Sequence, residues 1–171
     1  MTFFLRPLAL TQRDVVGSIM LDASQEKFAG GNLDHIFNAL EQSACSWALH
    51  PFGVMKGNDA VGFFVLRENP ALPPWADVDA ITLHSLRISR PLQGRGYGTV
   101  ALTLARQWIE AERPSIRSLM LTVNADNPAA SALYLRCGFH PTGEIFQGRI
   151  GRERVLRHLI REGEGPAPAS E

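Results

Sequence analysis

Leu86-Arg87-Ile88-Ser89-Arg90-Pro91-Leu92-Gln93-Gly94-Arg95-Gly96-Tyr97-Gly98-Thr99 runs from an apolar strand, past a proline, into a loop with glycine at alternate positions. Val100, Ala101, Leu104, Ala105 and Trp108 follow on one helical face. A strand, a glycine loop and a helix N-terminus together make an anion site. The glycines let the backbone approach a ligand, and the unpaired N–H groups of the first helical turn point at it. The rest of the chain supports this loop or faces it.

The chain has 171 residues, 45% hydrophobic and 20% charged, which suits one domain with a full core. Seventeen basic and 17 acidic residues cancel, so no overall field favours nucleic acid or an anionic membrane. Lys27 and Lys56 are the only lysines, a poor basis for a lysine nucleophile. No apolar run approaches the roughly 20 residues that span a bilayer, and the N-terminus lacks the layout of a signal peptide. Cys45 and Cys137 are isolated and form no C-x-x-C pair. No zinc or redox motif is expected, and a reduced, cytoplasmic protein is.

Working outward from the loop, 78–88 reads as the strand that feeds it, and 119–123 as a short buried strand after its helix. Asn127-Pro128 places a cap ahead of a proline at the first helical position, and Gly138 is a natural left-handed stop. Residues 142–146 and 152–160 pair as a closing hairpin. On the N-terminal side, 3–6 reads as a first strand. Thr11 with Asp14 resembles a capping box and opens a helix over 11–20, with Val15, Val16, Ile19 and Met20 inward. Asn32 caps a second helix carrying Leu33, Ile36, Phe37 and Leu40. These two helices form a lid over the sheet edge. Residues 47–55 and 60–66 form a hairpin around Lys56-Gly57-Asn58-Asp59. The loop 68–77, with three prolines, is long enough to be functional. One domain over 1–160 is expected, followed by a flexible tail over 161–171.

Three ligands use loops of this kind. A nucleotide-phosphate loop ends in Gly-Lys-Ser/Thr, and no lysine is present here. A dinucleotide fingerprint needs glycine or alanine where Thr99 stands, and an acid about 20 residues later, where 114–118 has none. The third pattern fits. Gln93-Gly94-Arg95-Gly96-Tyr97-Gly98 has the form Q-x-x-G-x-G, and Asn127-Pro128-Ala129-Ala130-Ser131-Ala132-Leu133-Tyr134-Leu135-Arg136-Cys137-Gly138-Phe139 has the form N-x-x-A-x-x-L-Y-x-x-x-G-F. Together, in this order, they resemble the acetyl-CoA loop and following helix of the GCN5-related N-acetyltransferases (GNAT). The resemblance covers 3 to about 160 and is strongest over 81–139.

That resemblance implies an α/β (α+β) fold: a mixed, mostly antiparallel sheet of about seven strands with about four helices, splayed between the fourth and fifth strands. It implies acetyl-CoA as cofactor, with coenzyme A as product and no metal. Gly94, Arg95, Gly96, Tyr97, Gly98 and Thr99 would wrap the pyrophosphate, and the helix dipole favours its charge. Arg95 can fork onto phosphate or be a solvated loop charge; Thr99 can donate its hydroxyl or cap the helix. Backbone groups of Leu86 and Ile88 would bond the pantetheine arm beside a bulge near Leu86-Arg87. Gln93, Asn127 and Ala130 fall on further cofactor positions, and Asn127 doubles as a cap.

Amide formation from a thioester needs a neutral amine, a stabilised oxyanion and a proton for the leaving thiolate. Tyr134 matches the family tyrosine near the coenzyme sulphur, as the acid, and is otherwise a packing aromatic. Thr82 and His84 share one strand face. His84 can take the amine proton or be a structural histidine; Asp79 and Glu144 are alternatives. A backbone N–H of Arg87 or Ile88 is the simplest oxyanion donor. The lid and closing hairpin resemble small bacterial spermidine/spermine-type acetyltransferases through Gln25-x-x-Phe28, Val61-Gly62-Phe63 and Thr142-Gly143-Glu144. Phe28, Thr82, His84 and Glu144 are then substrate contacts, and Asp22, Glu26, Asp34, Asp77 and Asp79 could line a polycation site. Arg149, Arg152 and Arg154 would oppose it. A small-molecule amine, an amino acid or a peptide N-terminus stays open as acceptor, as does a non-catalytic cofactor-binding module. No nucleic acid or membrane partner is expected, and a homodimer is compatible.

Overall fold

The computed structural model describes residues 2–161; most of the expected tail, 162–171, lies outside them. Strands β1 (Phe3–Pro7), β2 (Leu49–Lys56), β3 (Asp59–Arg67), β4 (Ala80–Ile88), β5 (Ser118–Asn124), β6 (His140–Gly148) and β7 (Gly151–Leu159) form one sheet. Its order is β1-β2-β3-β4-β5-β7-β6. Only β4 and β5 run parallel; every other neighbouring pair is antiparallel. Helices α1 (Ala23–Phe28) and α2 (Leu33–Gln42) lie between β1 and β2, α3 (Tyr97–Glu112) between β4 and β5, and α4 (Pro128–Arg136) between β5 and β6.

The β4–β5 ladder joins only Ala80, Ile81 and Thr82 to Ser118, Leu119 and Met120. Beyond Thr82 the strands part, and the sheet opens as expected. The cause lies within β4. Val65 pairs with His84 and Phe63 with Arg87, so β4 carries one extra residue there. Ser85 takes up the excess at φ 60°, a left-handed conformation that non-glycine residues seldom adopt. The bulge is therefore at Ser85-Leu86, one residue before the position the family likeness implied.

The two faces of the sheet carry separate cores. Ile81, Leu83, Leu119, Leu121, Val123 and Leu156 pack under α3 and α4 against Ala101, Leu102, Ala105, Ile109 and Tyr134. Phe63 and Val65 pack under α2 against Ile36, Phe37 and Leu40. The buried stripe of α3 is thus turned slightly from the expected one, with Leu104 and Trp108 at its partly buried flank.

The helix expected over 11–20 does not form. A single 3-10 turn, Arg13–Val16, ends at Gly17, and no side chain caps it. Val16 and Ile19 are buried, but Met20 is exposed. Its backbone is engaged elsewhere: Met20 N–H donates to Ser89 Oγ, and Met20 C=O accepts from Arg90 N–H. The first lid helix is instead α1, opened by a reciprocal capping box between Asp22 and Gln25. The second is as expected, with His35 N–H donating to Asn32 Oδ1 at 2.8 Å.

Candidate functional site

Gly94 and Gly96 sit at φ 74° and 81°, and a Cβ on either would meet nothing within 4 Å. Here glycine is required by the backbone, not by crowding. Gly98 differs: a Cβ there would lie 2.9 Å from Leu133 Cδ2, so its absence lets α3 and α4 approach. Gly96 caps α3 without a side-chain bond. Among the described residues, the N–H groups of 94–99 find no backbone acceptor. A turn of free donors at the start of a 16-residue helix is an anion cradle.

The cradle opens onto a cleft of about 970 Å3 that runs between the splayed strands and beneath the lid. Leu86, Ile88, Gln93, Tyr97 and Thr99 line its loop end, and Asn127, Ala130 and Tyr134 line the α4 side. Ser89 N–H donates to Val61 C=O. Backbone groups alternate in direction along a strand, so Arg87 N–H faces β3 while Ile88 and Leu86 face the gap. Of the two expected oxyanion donors, only Ile88 N–H is therefore directed into the opening.

Several expected cofactor residues also have structural tasks. Gln93 Nε2 donates to Ile88 C=O at 2.9 Å, and Gln25 Nε2 donates to Gln93 Oε1 at 2.9 Å. Asn127 Oδ1 accepts from Ala130 N–H, so its cap role is real. Cys137 Sγ donates to Thr99 Oγ1 at 3.7 Å. Arg95 is exposed and does not line the cleft. Arg87 is buried, and its Nη2 donates to Ala29 C=O at 2.6 Å and Gly31 C=O at 3.1 Å. That side chain fastens the α1–α2 corner; burial lowers its pKa to about 10 against partial support from Glu26.

Tyr134 is buried on the cleft wall, its ring edge-on to Phe139 at 5.8 Å. Burial, and then Cys137, push its phenol up to about 12, so it is protonated at neutral pH. His84 lines the cleft with its ring nitrogen 2.7 Å from Thr82 Oγ1. Burial, and then the positive charge of Arg67, hold its pKa well below 6.5, so the ring is neutral. Thr82, expected as a substrate contact, is fully buried beneath His84 and does not line the cleft. Phe28 does line it.

The expected carboxylate lining does not assemble. Asp22 pairs with Arg90, Asp34 with Arg13, Asp77 with Arg157 and Asp79 with Arg117. Neither these nor Glu26 lines the cleft, and Glu144 is exposed at the rim of β6, with its N–H on Thr142 Oγ1. Arg152 and Arg154 are exposed, while Arg149 donates to Lys27 C=O and ties the closing hairpin to α1.

Among the cleft residues that escaped the sequence reading, two carry charge on strands either side of the sheet opening. Glu153, on β7, lines the cleft beside Thr122. Burial raises its carboxyl pKa, against a hydrogen bond from Thr122 and the charge of Arg149. Arg67, on β3, lines it on the opposite side. The only signal for either was strand parity: 63, 65 and 67 alternate onto the lid face, as do 153 and 155. Among the described residues no group of three or more His, Cys, Asp or Glu could hold a metal ion, and no helix is long and apolar enough to cross a membrane.

A family model described as "Acetyltransferase (GNAT) family" matches residues 9–139. The uncharacterized N-acetyltransferase YbbJ of Bacillus subtilis (strain 168) is 28% identical over 142 residues, covering 79% of this chain and 89% of its own. AAC(6')-Ib, solved with ribostamycin and coenzyme A, superposes with a TM-score of 0.74 at 12% identity, over 93% of this chain and 94% of its own. Spermidine N-acetyltransferase from Vibrio cholerae, solved with CoA and spermine, gives 0.70 at 17% identity, over 92% and 95%. At such identities the structural likeness is one of fold.

Proposed function

Since this chain belongs to the GNAT acetyltransferase family, we propose that its cleft brings acetyl-CoA, held on the glycine loop, together with the primary amine of a small molecule. The chain is an N-acetyltransferase by that membership; the acceptor and the residue roles are what is proposed. One observation carries the reading: a single cleft connects the free N–H groups of 94–99 with Tyr134 and with the polar sheet face of His84, Thr122 and Glu153. Six consecutive unpaired donors at a helix start suit a pyrophosphate.

When bound, acetyl-CoA supplies an activated acetyl group whose carbonyl carbon the amine attacks directly, forming the C–N bond and breaking the C–S bond. The protein residues handle the charges around that exchange. The N–H groups of Gly94 to Thr99 hold phosphate oxygens. The groups of Leu86 and Ile88 that face the gap extend the strand pairing along the pantetheine arm, and Ile88 N–H is a donor for the developing oxyanion. Tyr134 Oη donates to the leaving sulphur. A phenol at about 12 stays protonated, and full transfer to a thiolate of ordinary pKa about 8.5 is uphill. Its first service is therefore to hold the sulphur charge through the O–H.

The acceptor arrives as an ammonium ion and must lose two protons, one before attack to a protein base and one from the tetrahedral intermediate to the leaving thiolate. His84 is neutral and can accept one at its ring nitrogen, but burial and Arg67 oppose the imidazolium. Glu153 is the only carboxylate among the described cleft residues, and burial strengthens its hold on a proton, which makes it the second candidate proton acceptor. The test is release of free thiol from acetyl-CoA with a panel of amines, using wild type, Glu153→Gln and His84→Gln across pH 6 to 9. Amine-stimulated release supports the reading. Cofactor binding without stimulation by any amine leaves a non-catalytic binding module. A loss in Glu153→Gln of about tenfold or more, with His84→Gln near wild type, assigns the proton to Glu153; the reverse pattern assigns it to His84.

A further inference from the structure

Arg67 is the unusual charge in this molecule. Its Nε is the one buried side-chain nitrogen or oxygen among the described residues with no hydrogen-bond partner. No carboxylate pairs with it, although Arg13, Arg90, Arg113, Arg117 and Arg157 all have acidic partners. Leu40, Leu49, Val65 and Ala71 line the same cleft, and His84, two residues along β4 from Thr82, the strand partner of Arg67, is close enough to feel the guanidinium charge. Desolvation there weakens the hold of Arg67 on its proton. An unpaired, partly desolvated guanidinium opposes folding unless something else on the protein or its ligand compensates it.

The coenzyme phosphates are not that partner. Arg67 pairs with Thr82 at the start of β4, and the glycine loop begins beyond Ile88, roughly 15–20 Å farther along the strand. Glu153 is not the partner either. It lies on β7, three strands away across β4 and β5 and four residues farther along, level with Asn124 where Arg67 is level with Met120, which is about 19 Å at the usual spacings before the splay is added. The gap between β4 and β5 lies between the two charges. Arg87 and Arg136 line the cleft too, the one bonded to Ala29 and Gly31 C=O and the other exposed on α4; across its sheet floor the cleft is bipolar, with Arg67 on the β3 side and Glu153 on the β7 side.

We infer that the acceptor is a small amine carrying a carboxylate, with the carboxylate held by the terminal nitrogens of Arg67 while its nitrogen is directed to the splay. This rests on the acetyltransferase reading and deepens it. A guanidinium matches a carboxylate through paired N–H donors, and a zwitterion fits a bipolar cleft in one orientation only. A polycation would place like charge against Arg67, and the acids that could have offset it are engaged elsewhere.

The experiment compares 4-aminobutyrate, butylamine and putrescine, one carbon scaffold with a carboxylate, a methyl or a second ammonium at its far end. The common α-amino acids test shorter spacing, and 3-aminopropylphosphonate separates carboxylate from phosphonate. Thiol release is followed for wild type, Arg67→Gln and Arg67→Lys, with coenzyme A affinity by calorimetry as the check on folding. Wild type should favour carboxylated amines over the matched uncharged one by about tenfold or more in kcat/KM. Arg67→Gln should lose that preference, read within the variant as the ratio of kcat/KM for 4-aminobutyrate to that for butylamine, while keeping its coenzyme A affinity. Arg67→Lys should retain part of it, and it replaces Arg67→Gln if the latter does not fold. Preference for putrescine or butylamine, or a carboxylate preference that survives Arg67→Gln, overturns the acceptor class and leaves the acetyltransferase intact. Preference for the phosphonate overturns the carboxylate. Binding of acetyl-CoA with no release by any amine overturns the acetyltransferase reading, and the acceptor class with it.

Discussion

Tyr134 stands between core and cleft. Its ring meets Phe139 edge to face at 5.8 Å, and the residue forms part of the cleft wall. Replacing it with phenylalanine keeps the ring and removes only the donor. Turnover should fall by about a hundredfold with coenzyme A affinity unchanged, as read by steady-state kinetics and calorimetry; unchanged turnover would remove Tyr134 from the chemistry. The same residue links stability to pH. The folded state holds the phenolic proton up to about pH 12, whereas an unfolded chain releases it near 10. Between those values the folded state binds more protons, so stability falls as pH rises. Tyr134 should cost the protein about 1.4 kcal/mol between pH 8 and pH 11. Urea unfolding of wild type beside Tyr134→Phe measures it, because the variant should lack this component. The tyrosine was legible from its motif. Arg67 and Glu153 were not, because neither belongs to a pattern and their meaning comes from which partners the fold denies them.

The glycine loop and the lid corner are elements held by opposite means. The loop depends on backbone conformation, and Gly96 at φ 81° is its pivot. Gly96→Ala introduces no clash but must hold a left-handed conformation, costing about 1–2 kcal/mol. Thermal unfolding should register that loss, and calorimetry should show weaker coenzyme A binding as the cradle relaxes; undiminished affinity would mean the loop does not bind the cofactor. The lid corner depends on one side chain. Arg87 donates to Ala29 and Gly31 carbonyls from inside the fold. Arg87→Met leaves both acceptors without that donor, at about 1–3 kcal/mol each where they are sealed from water. Hydrogen exchange over 22–31 should accelerate while 118–124 stays protected. The missed helix at 11–20 is also decided at this scale. A capping pattern and an apolar stripe were present, but the chain makes a single 3-10 turn ending at Gly17, and the bonds that Met20 N–H gives to Ser89 and Met20 C=O takes from Arg90 draw it to the end of β4.

The whole molecule consists of two half-sheets joined by a short hinge. Three residue pairs link β4 to β5, and past them the halves stay joined through the core under α3 and α4, which packs residues of β2–β4 against residues of β5 and β7. A ligand bound in the gap bridges the halves and adds its binding energy to folding. Acetyl-CoA at 100 times its dissociation constant should stabilise the protein by about 2.7 kcal/mol, measured as an upward shift in denaturant midpoint with the cofactor present. No shift would mean that the native state does not bind the cofactor. The sequence by itself determined the strand–loop–helix order around the glycine loop, the α4 boundaries, the cap at Asn127 and the family. Those depend on local backbone preference and on motifs whose residues are near one another in the chain. Tertiary structure alone decided that Ser85 bends β4, that Asp22, Asp34, Asp77 and Asp79 are committed to arginines, and that Arg67 and Glu153 face one cleft. Charge pairing and burial depend on distances between residues far apart in sequence, and those distances exist only once the sheet has formed.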